Sequence, residues 1–184
     1  MKTALVLIDI QNDYFPNGKM ELSKPLETVQ YAKQVLDFFR DKKRPIFHVQ
    51  HISTKENATF FLPNTEGAEI HQEVKPLEEE YLIQKHFPNS FRDTKLLKVL
   101  QKENIDTLVI CGMMTHMCID ATVRAANDLG FHCIVIENAC TTKDLAFQEN
   151  IIPAQQVHRS FISALNNVYA EITTSNALTQ KATI

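Results

Sequence analysis

Short apolar runs rich in β-branched residues recur along the chain, at residues 4–8, 45–50, 81–85, 107–111, 132–137 and 170–173. Stretches of helical period separate most of them. A strand that is apolar throughout is buried on both faces, and it reaches a parallel neighbour only through a long crossover, so this alternation predicts repeated βαβ units. The expected fold class is α/β, with a parallel sheet covered on both faces by helices.

A first helix is expected over residues 25–42, where Val29, Ala32, Leu36 and Phe39 fall on one stripe and Arg40, Lys42 and Lys43 suit the negative end of its dipole. A second is expected over 94–103, turning Leu96, Leu97 and Leu100 inward, with Asp93 as its cap. A third begins near Cys118 and stops at Gly130, where a left-handed cap costs glycine little. The fourth spans 144–167 and contains Pro153, which predicts a kink or a division into two helices.

Residues 51–80 break the pattern, with prolines at 63 and 76, five acidic residues between Glu66 and Glu79, and no clear period. Following the second strand, this segment should lie over the carboxyl edge of the sheet, where Phe60, Phe61 and Leu62 can line a pocket. The alternative is a surface excursion packed by its own aromatics.

At 184 residues the chain is expected to form one domain over 1–184. A net charge of −3 with both signs interspersed gives no footprint for nucleic acid. The start MKTALVLIDIQ holds only five consecutive apolar residues before Asp9, too few for a signal-peptide core or a membrane span. A cytoplasmic location without a membrane partner is the expectation. The four cysteines show no CxxC spacing, so thiols are expected, with Cys111 and Cys133 in the core.

Cys118 sits in LVICGMMTHMCIDATVRAANDLG, which reads as strand, tight turn and helix. A free cysteine usually packs as a small hydrophobe, but at a helix N-terminus the unpaired N–H groups and the dipole favour a thiolate. Asp9 closes the first apolar run and Lys85 the third. In a parallel sheet the carboxyl ends of the strands share one edge, so Asp9, Lys85 and Cys118 can converge. Asp9 can then take the thiol proton while Lys85 holds the thiolate, the three titrating as one unit.

An attacked carbonyl also needs backbone donors for its developing oxyanion. The turn over 112–117 can supply amides beside that of Cys118, and Gly112 permits the tight exit from the strand. Tyr14 and Phe15 beside Asp9, Phe60 and Phe61 in the long segment, and His116 near the thiol are the candidate pocket residues. His48 and His51 stand three apart on a strand, which sends them to opposite faces and argues against joint chelation.

With these residues assembled, the chain resembles the isochorismatase-like cysteine hydrolases, which include nicotinamidases and N-carbamoylsarcosine amidohydrolase. The likeness covers residues 3–174 and rests on the Asp of ALVLIDIQNDYF, the Lys of QKHFPNSFRDTKL and the Cys of GMMTHMCIDATVRAA. It implies a three-layer α/β/α fold with a six-stranded parallel sheet, an Asp9–Lys85–Cys118 triad, and a non-proline cis peptide between Met113 and Met114. That bond would turn the Met114 N–H toward the oxyanion beside that of Cys118. The implied reaction is attack of Cys118 on the carbonyl of a small amide or ureide, loss of ammonia or an amine with a proton from Asp9, and hydrolysis of the thioester. A homodimer or higher oligomer is implied too.

Nicotinamidases carry an Asp and histidines after the second strand that hold a divalent metal. Here that stretch reads FHVQHISTKE, with His51 at the Asp position, so the metal set is incomplete and neither metal nor cofactor is expected. His71 is read as a structural or lid residue. A second reading makes Cys118 a redox-sensing or ligand-binding thiol without turnover. A nucleotide-binding oxidoreductase fares worst, because the chain has only four glycines and none forms GxGxxG.

Overall fold

In the computed structural model, which describes residues 2–180, the most apolar runs become the centre of the sheet. Residue 1 and residues 181–184, part of the expected single domain, lie outside the described residues. Strand β1 (Thr3–Ile8) is buried at every position. Around it lie β2 (Ile46–His51), β3 (Tyr81–Lys85), β4 (Thr107–Met113), β5 (His132–Thr141) and β8 (Glu171–Thr173) in the order β3-β2-β1-β4-β5-β8, every pair parallel. On the edge strand β3 the pattern changes to alternation, with Ile83 and Lys85 buried and Leu82 and Gln84 exposed.

Helix α1 (Pro25–Asp41) starts with proline at its first turn, where no N–H is missed, and buries Val29, Ala32, Leu36 and Phe39 as the stripe predicts. It packs with α5 (Ser175–Thr179) on one face. On the other, α3 (Asp120–Asp128) meets α4 (Ala154–Leu165), and the right-handed crossover from β3 to β4 sets α2 (Leu96–Lys102) on the same side. The result is three layers, α/β/α.

Two local expectations are corrected and a third is refined. Residues 144–153 are not helical: β6 (Leu145–Phe147) and β7 (Asn150–Ile152) form an antiparallel hairpin, and α4 begins only at Ala154. Pro153 ends the extended segment as the helix cap, Gln148 turns the hairpin at φ 54°, and the Asp144 carboxylate accepts the Ala154 N–H at 2.7 Å. Asp93 does not cap α2. It lies exposed at φ 56°, and Thr94 Oγ1 accepts the Leu96 N–H instead. The third helix enters through a π-type turn over Thr115–Ile119, so Cys118 sits inside that turn with regular α-helix starting at Asp120. Beyond its end, Gly130 takes φ 90° as expected.

Residues 52–80 are mostly irregular but well tied down. The Gln11 side chain donates to the His51 and Ala68 carbonyls, the Asn12 N–H donates to Glu69 O, and the His71 N–H donates to Ile10 O. Buried Asp13 accepts the Phe61 N–H at 2.6 Å, and Gly67 packs so closely on that carboxylate that a Cβ would fall 2.2 Å from it. At the far end the Glu80 side chain is 5% exposed between Arg40 (Nε to Oε1, 2.7 Å) and His48 (Nε2 to Oε2, 2.7 Å), and also accepts the Leu77 N–H. Arg40 thus clamps the end of this segment, a use beyond complementing the α1 dipole.

Candidate active site

The strand order reverses direction of travel between β1 and β4, and in open α/β sheets such a switch point leaves a crevice at the carboxyl ends. All three chemistry-bearing residues read from the sequence reach this crevice. Asp9 follows β1 directly and holds φ 53°, a left-handed conformation that aspartate tolerates better than most residues. Lys85 is the last residue of β3, and Cys118 rises from the π-type turn after β4.

Gly112 makes the meeting of β1 and β4 possible at this point. Its φ is 132°, and a Cβ there would lie 2.0 Å from the Ile8 carbonyl oxygen. The β4–β5 register also slips between Ile110 and Gly112. Gly112 therefore serves close backbone approach as well as the strand exit. The peptide between Met113 and Met114 is cis.

Asp9 and Lys85 are both fully buried, with Nζ 2.7 Å from Oδ2. Lys85 also donates to the carbonyls of Phe87 at 3.1 Å and Pro88 at 3.2 Å, and its Nζ stands 3.4 Å from His51 Nδ1. The Asp9 contact is an ion pair made off the line of an aligned hydrogen bond, and neither carboxylate oxygen accepts an aligned hydrogen bond among the described residues. Burial works against the Lys85 ammonium, but the Asp9 carboxylate and the nearby Cys118 outweigh it and raise its pKa.

Cys118 is 4% exposed. Burial first, then the Asp9 carboxylate, push its thiol pKa well up, with Lys85 opposing. The sequence stresses the helix end as a stabiliser of thiolate. In the folded protein desolvation and the Asp9 carboxylate outweigh it.

A ligand atom from each of Asp9, His51 and Cys118 lies within 4.8 Å of the others. This donor set suits a divalent cation poorly, because the Lys85 ammonium already stands against both Asp9 and His51. His48 points away to Glu80, so the two histidines of β2 do not converge. His71 is structural: its Nδ1 accepts the Glu73 N–H and its ring stacks on Phe15 at 3.9 Å.

Above the thiol lies a cleft of about 280 Å³ lined by Tyr14, Phe60, Phe61, Phe87, Met114 and Met117, with polar groups from His51, Ser53, Thr54, Asn57 and Thr59, and Lys55 and His86 as well. Of the expected pocket residues, Tyr14, Phe60 and Phe61 are here. Phe15 and His116 are not, which corrects that expectation. The short 3-10 turn at Asn12–Tyr14 turns Phe15 away to stack on His71, while the turn geometry sends His116 to Thr142 and Phe161. Leu62 is exposed and lies outside the cleft lining. Sequence reasoning missed His51, Phe87 and Met117 as lining residues. As the last residue of β2, His51 obeys the same edge rule as Lys85, and that is the signal that finds it.

Comparison with known proteins agrees with this geometry. Residues 3–177 match the isochorismatase domain. The isochorismatase family protein YddQ of Bacillus subtilis is 55% identical over 96% of this chain and 98% of its own length. Among solved structures, a protein from Oleispira antarctica assigned to the isochorismatase hydrolases superposes with a TM-score of 0.94 at 46% identity, covering 98% of this chain and 97% of that one. An isochorismatase from Pseudomonas putida gives 0.90 at 35% identity, over 95% and 89% of the two chains.

Proposed function

We propose that this chain, which belongs to the isochorismatase family, hydrolyses a C–N bond of a small amide or ureide through a thioester on Cys118. The observation that carries the reading is the buried Lys85–Asp9 pair beside the Cys118 thiol, with Asp9 Oδ1 left without a hydrogen-bond partner among the described residues. A free carboxylate oxygen at the thiol is where a proton acceptor is needed.

In the first half-reaction the sulfur bonds to the substrate carbonyl carbon as its proton passes to Asp9. The oxyanion is met by the N–H groups of Met114 and Cys118, and the C–N bond breaks as Asp9 returns the proton to the departing nitrogen. Lys85 keeps charge compensated throughout, since its raised pKa holds it as an ammonium. Water then forms the new C–O bond, the C–S bond breaks, and the proton taken by Asp9 goes back to sulfur.

The cleft lining favours an apolar or aromatic acyl group on a small substrate. Nicotinamidase 3 of Arabidopsis thaliana, 25% identical over 86% of this chain and 80% of its own length, is by its name an amidase. The thiol-sensor reading is weakened by the burial and raised pKa of Cys118, since sensor thiols are accessible and low in pKa.

No described helix is long and apolar enough to cross a membrane. We read the chain as one domain working in the cytoplasm, which its four free thiols support. We also read it as a homo-oligomer, supported by Phe147 and Ile151 standing 67% and 65% exposed on the β6–β7 hairpin. Light scattering tests that assembly.

The test of function is ammonia release from a panel of small amides and ureides. Turnover by the wild type, at least about 1,000-fold lower in Cys118→Ala and unchanged by a chelator, is expected. Turnover that survives the substitution would overturn the reading.

A further inference from the structure

The mechanism above leaves His51 unused. His51 lines the cleft, and one of its ring nitrogens lies within 4.8 Å of both an Asp9 oxygen and the Cys118 sulfur. Lys85 engages the ring through Nδ1 alone. The Lys85 ammonium donates to Phe87 O at 3.1 Å and Pro88 O at 3.2 Å and stands 3.4 Å from His51 Nδ1, so Nδ1 is the ring nitrogen turned to Lys85. Facing an ammonium, Nδ1 carries its lone pair and the ring hydrogen is on Nε2, which leaves the Nε2–H to donate to a small polar molecule. Its backbone is fixed independently: the N–H donates to Gln11 Oε1 and the carbonyl accepts from Gln11 Nε2.

We propose that His51 seats the hydrolytic water of the second half-reaction, holding it between the imidazole and the unpartnered Asp9 oxygen, against the acyl carbon on Cys118. This rests on Cys118 being the nucleophile. The water oxygen bonds to the acyl carbon, one of its hydrogens passes to Asp9, the C–S bond breaks and Asp9 protonates the leaving sulfur. His51 exchanges no proton. It restricts where the water stands, and a water free to wander attacks far less often. Burial lowers the His51 pKa to about 4, the charges of Asp9 and Lys85 pulling in opposite directions, so the ring is neutral under ordinary conditions.

The inference separates the two half-reactions, and p-nitrophenyl acetate reads each one. Release of p-nitrophenolate reports acylation of Cys118, and the steady-state rate together with the intact mass of the acid-quenched protein reports loss of the acetyl group. His51→Phe is expected to acylate at close to the wild-type rate, lose the acetyl group at least about 10-fold more slowly, and accumulate a Cys118 acetyl adduct that hydroxylamine discharges. His51→Gln, which keeps a donor and an acceptor at that place, should recover much of the lost rate. Equal loss of both steps in His51→Phe would make the residue structural and overturn the inference, as would wild-type deacylation. Failure of the wild type and the variants alike to acetylate Cys118 would instead contradict the nucleophile assignment itself.

Discussion

Two residues carry the tightest local constraints. A methyl group on Gly112 would collide with the Ile8 carbonyl at a φ that side chains rarely adopt. Gly112→Ala should therefore lower stability by about 2 kcal/mol or more, read as a shift in the urea midpoint. Lys85 is the second. Replacing it with Met leaves the fully buried Asp9 carboxylate uncompensated, which is expected to cost about 3–5 kcal/mol, while adding Asp9→Asn should restore much of that loss. Denaturant titration of the single and double variants checks this, and additive losses would contradict it. Asp9, Lys85 and Cys118 were legible in the sequence because position at a strand end or a helix start decides where they stand. Phe15 and His116 were not, because the direction of a side chain leaving a short 3-10 or π-type turn is written in no periodic pattern.

Whole elements were legible where burial imposes a period. The buried stripe of α1 and the unbroken apolar runs of β1 and β4 leave little choice. Residues 144–153 escape sequence reasoning because ten residues with Phe147, Ile151 and Ile152 exposed fit helix and hairpin equally, and only the Asp144 cap on Ala154 and the turn at Gln148 decide between them. The same holds for the end of the long segment, fixed by Glu80, whose partners are remote in sequence. Burial would raise the Glu80 pKa, but hydrogen bonds from Arg40, the Leu77 amide and His48 prevail and bring it to about 2. An unfolded glutamate titrates near 4.3, so this stabilisation is complete above about pH 5 and drains away as the pH falls toward about 2. Glu80→Gln should cost about 2–3 kcal/mol at pH 7, a figure reduced for the partial exposure of Arg40, and should flatten the stability profile between those limits. Thermal melts over that range would show it, and an unchanged acid slope would tell against the clamp.

For the molecule as a whole, α/β class and the edge that bears chemistry follow from alternating elements and parallel strands, which is why a single sequence sufficed to find both. The cleft did not follow, since it depends on how residues 52–80 are pinned to the turn after β1. Burial of the cysteines has a global consequence. The thiols of Cys133 and Cys140 are pushed up to about 12, and Cys111, Cys118 and Tyr14 are raised as well. Unfolded thiols ionise near 8.5, so above that pH the unfolded chain sheds protons that the native chain keeps. Stability should hold below about pH 8.5 and fall steadily toward about pH 12, as denaturant midpoints would reveal, and a flat profile there would show that these thiols are not buried in solution. The central claim is covalent catalysis by Cys118, and intact-mass measurement of the protein acid-quenched while turning over an amide tests it most directly. An acyl adduct on the Cys118 peptide, absent in Cys118→Ala together with turnover, is the predicted result; steady turnover without any adduct, undiminished by that substitution, would contradict it.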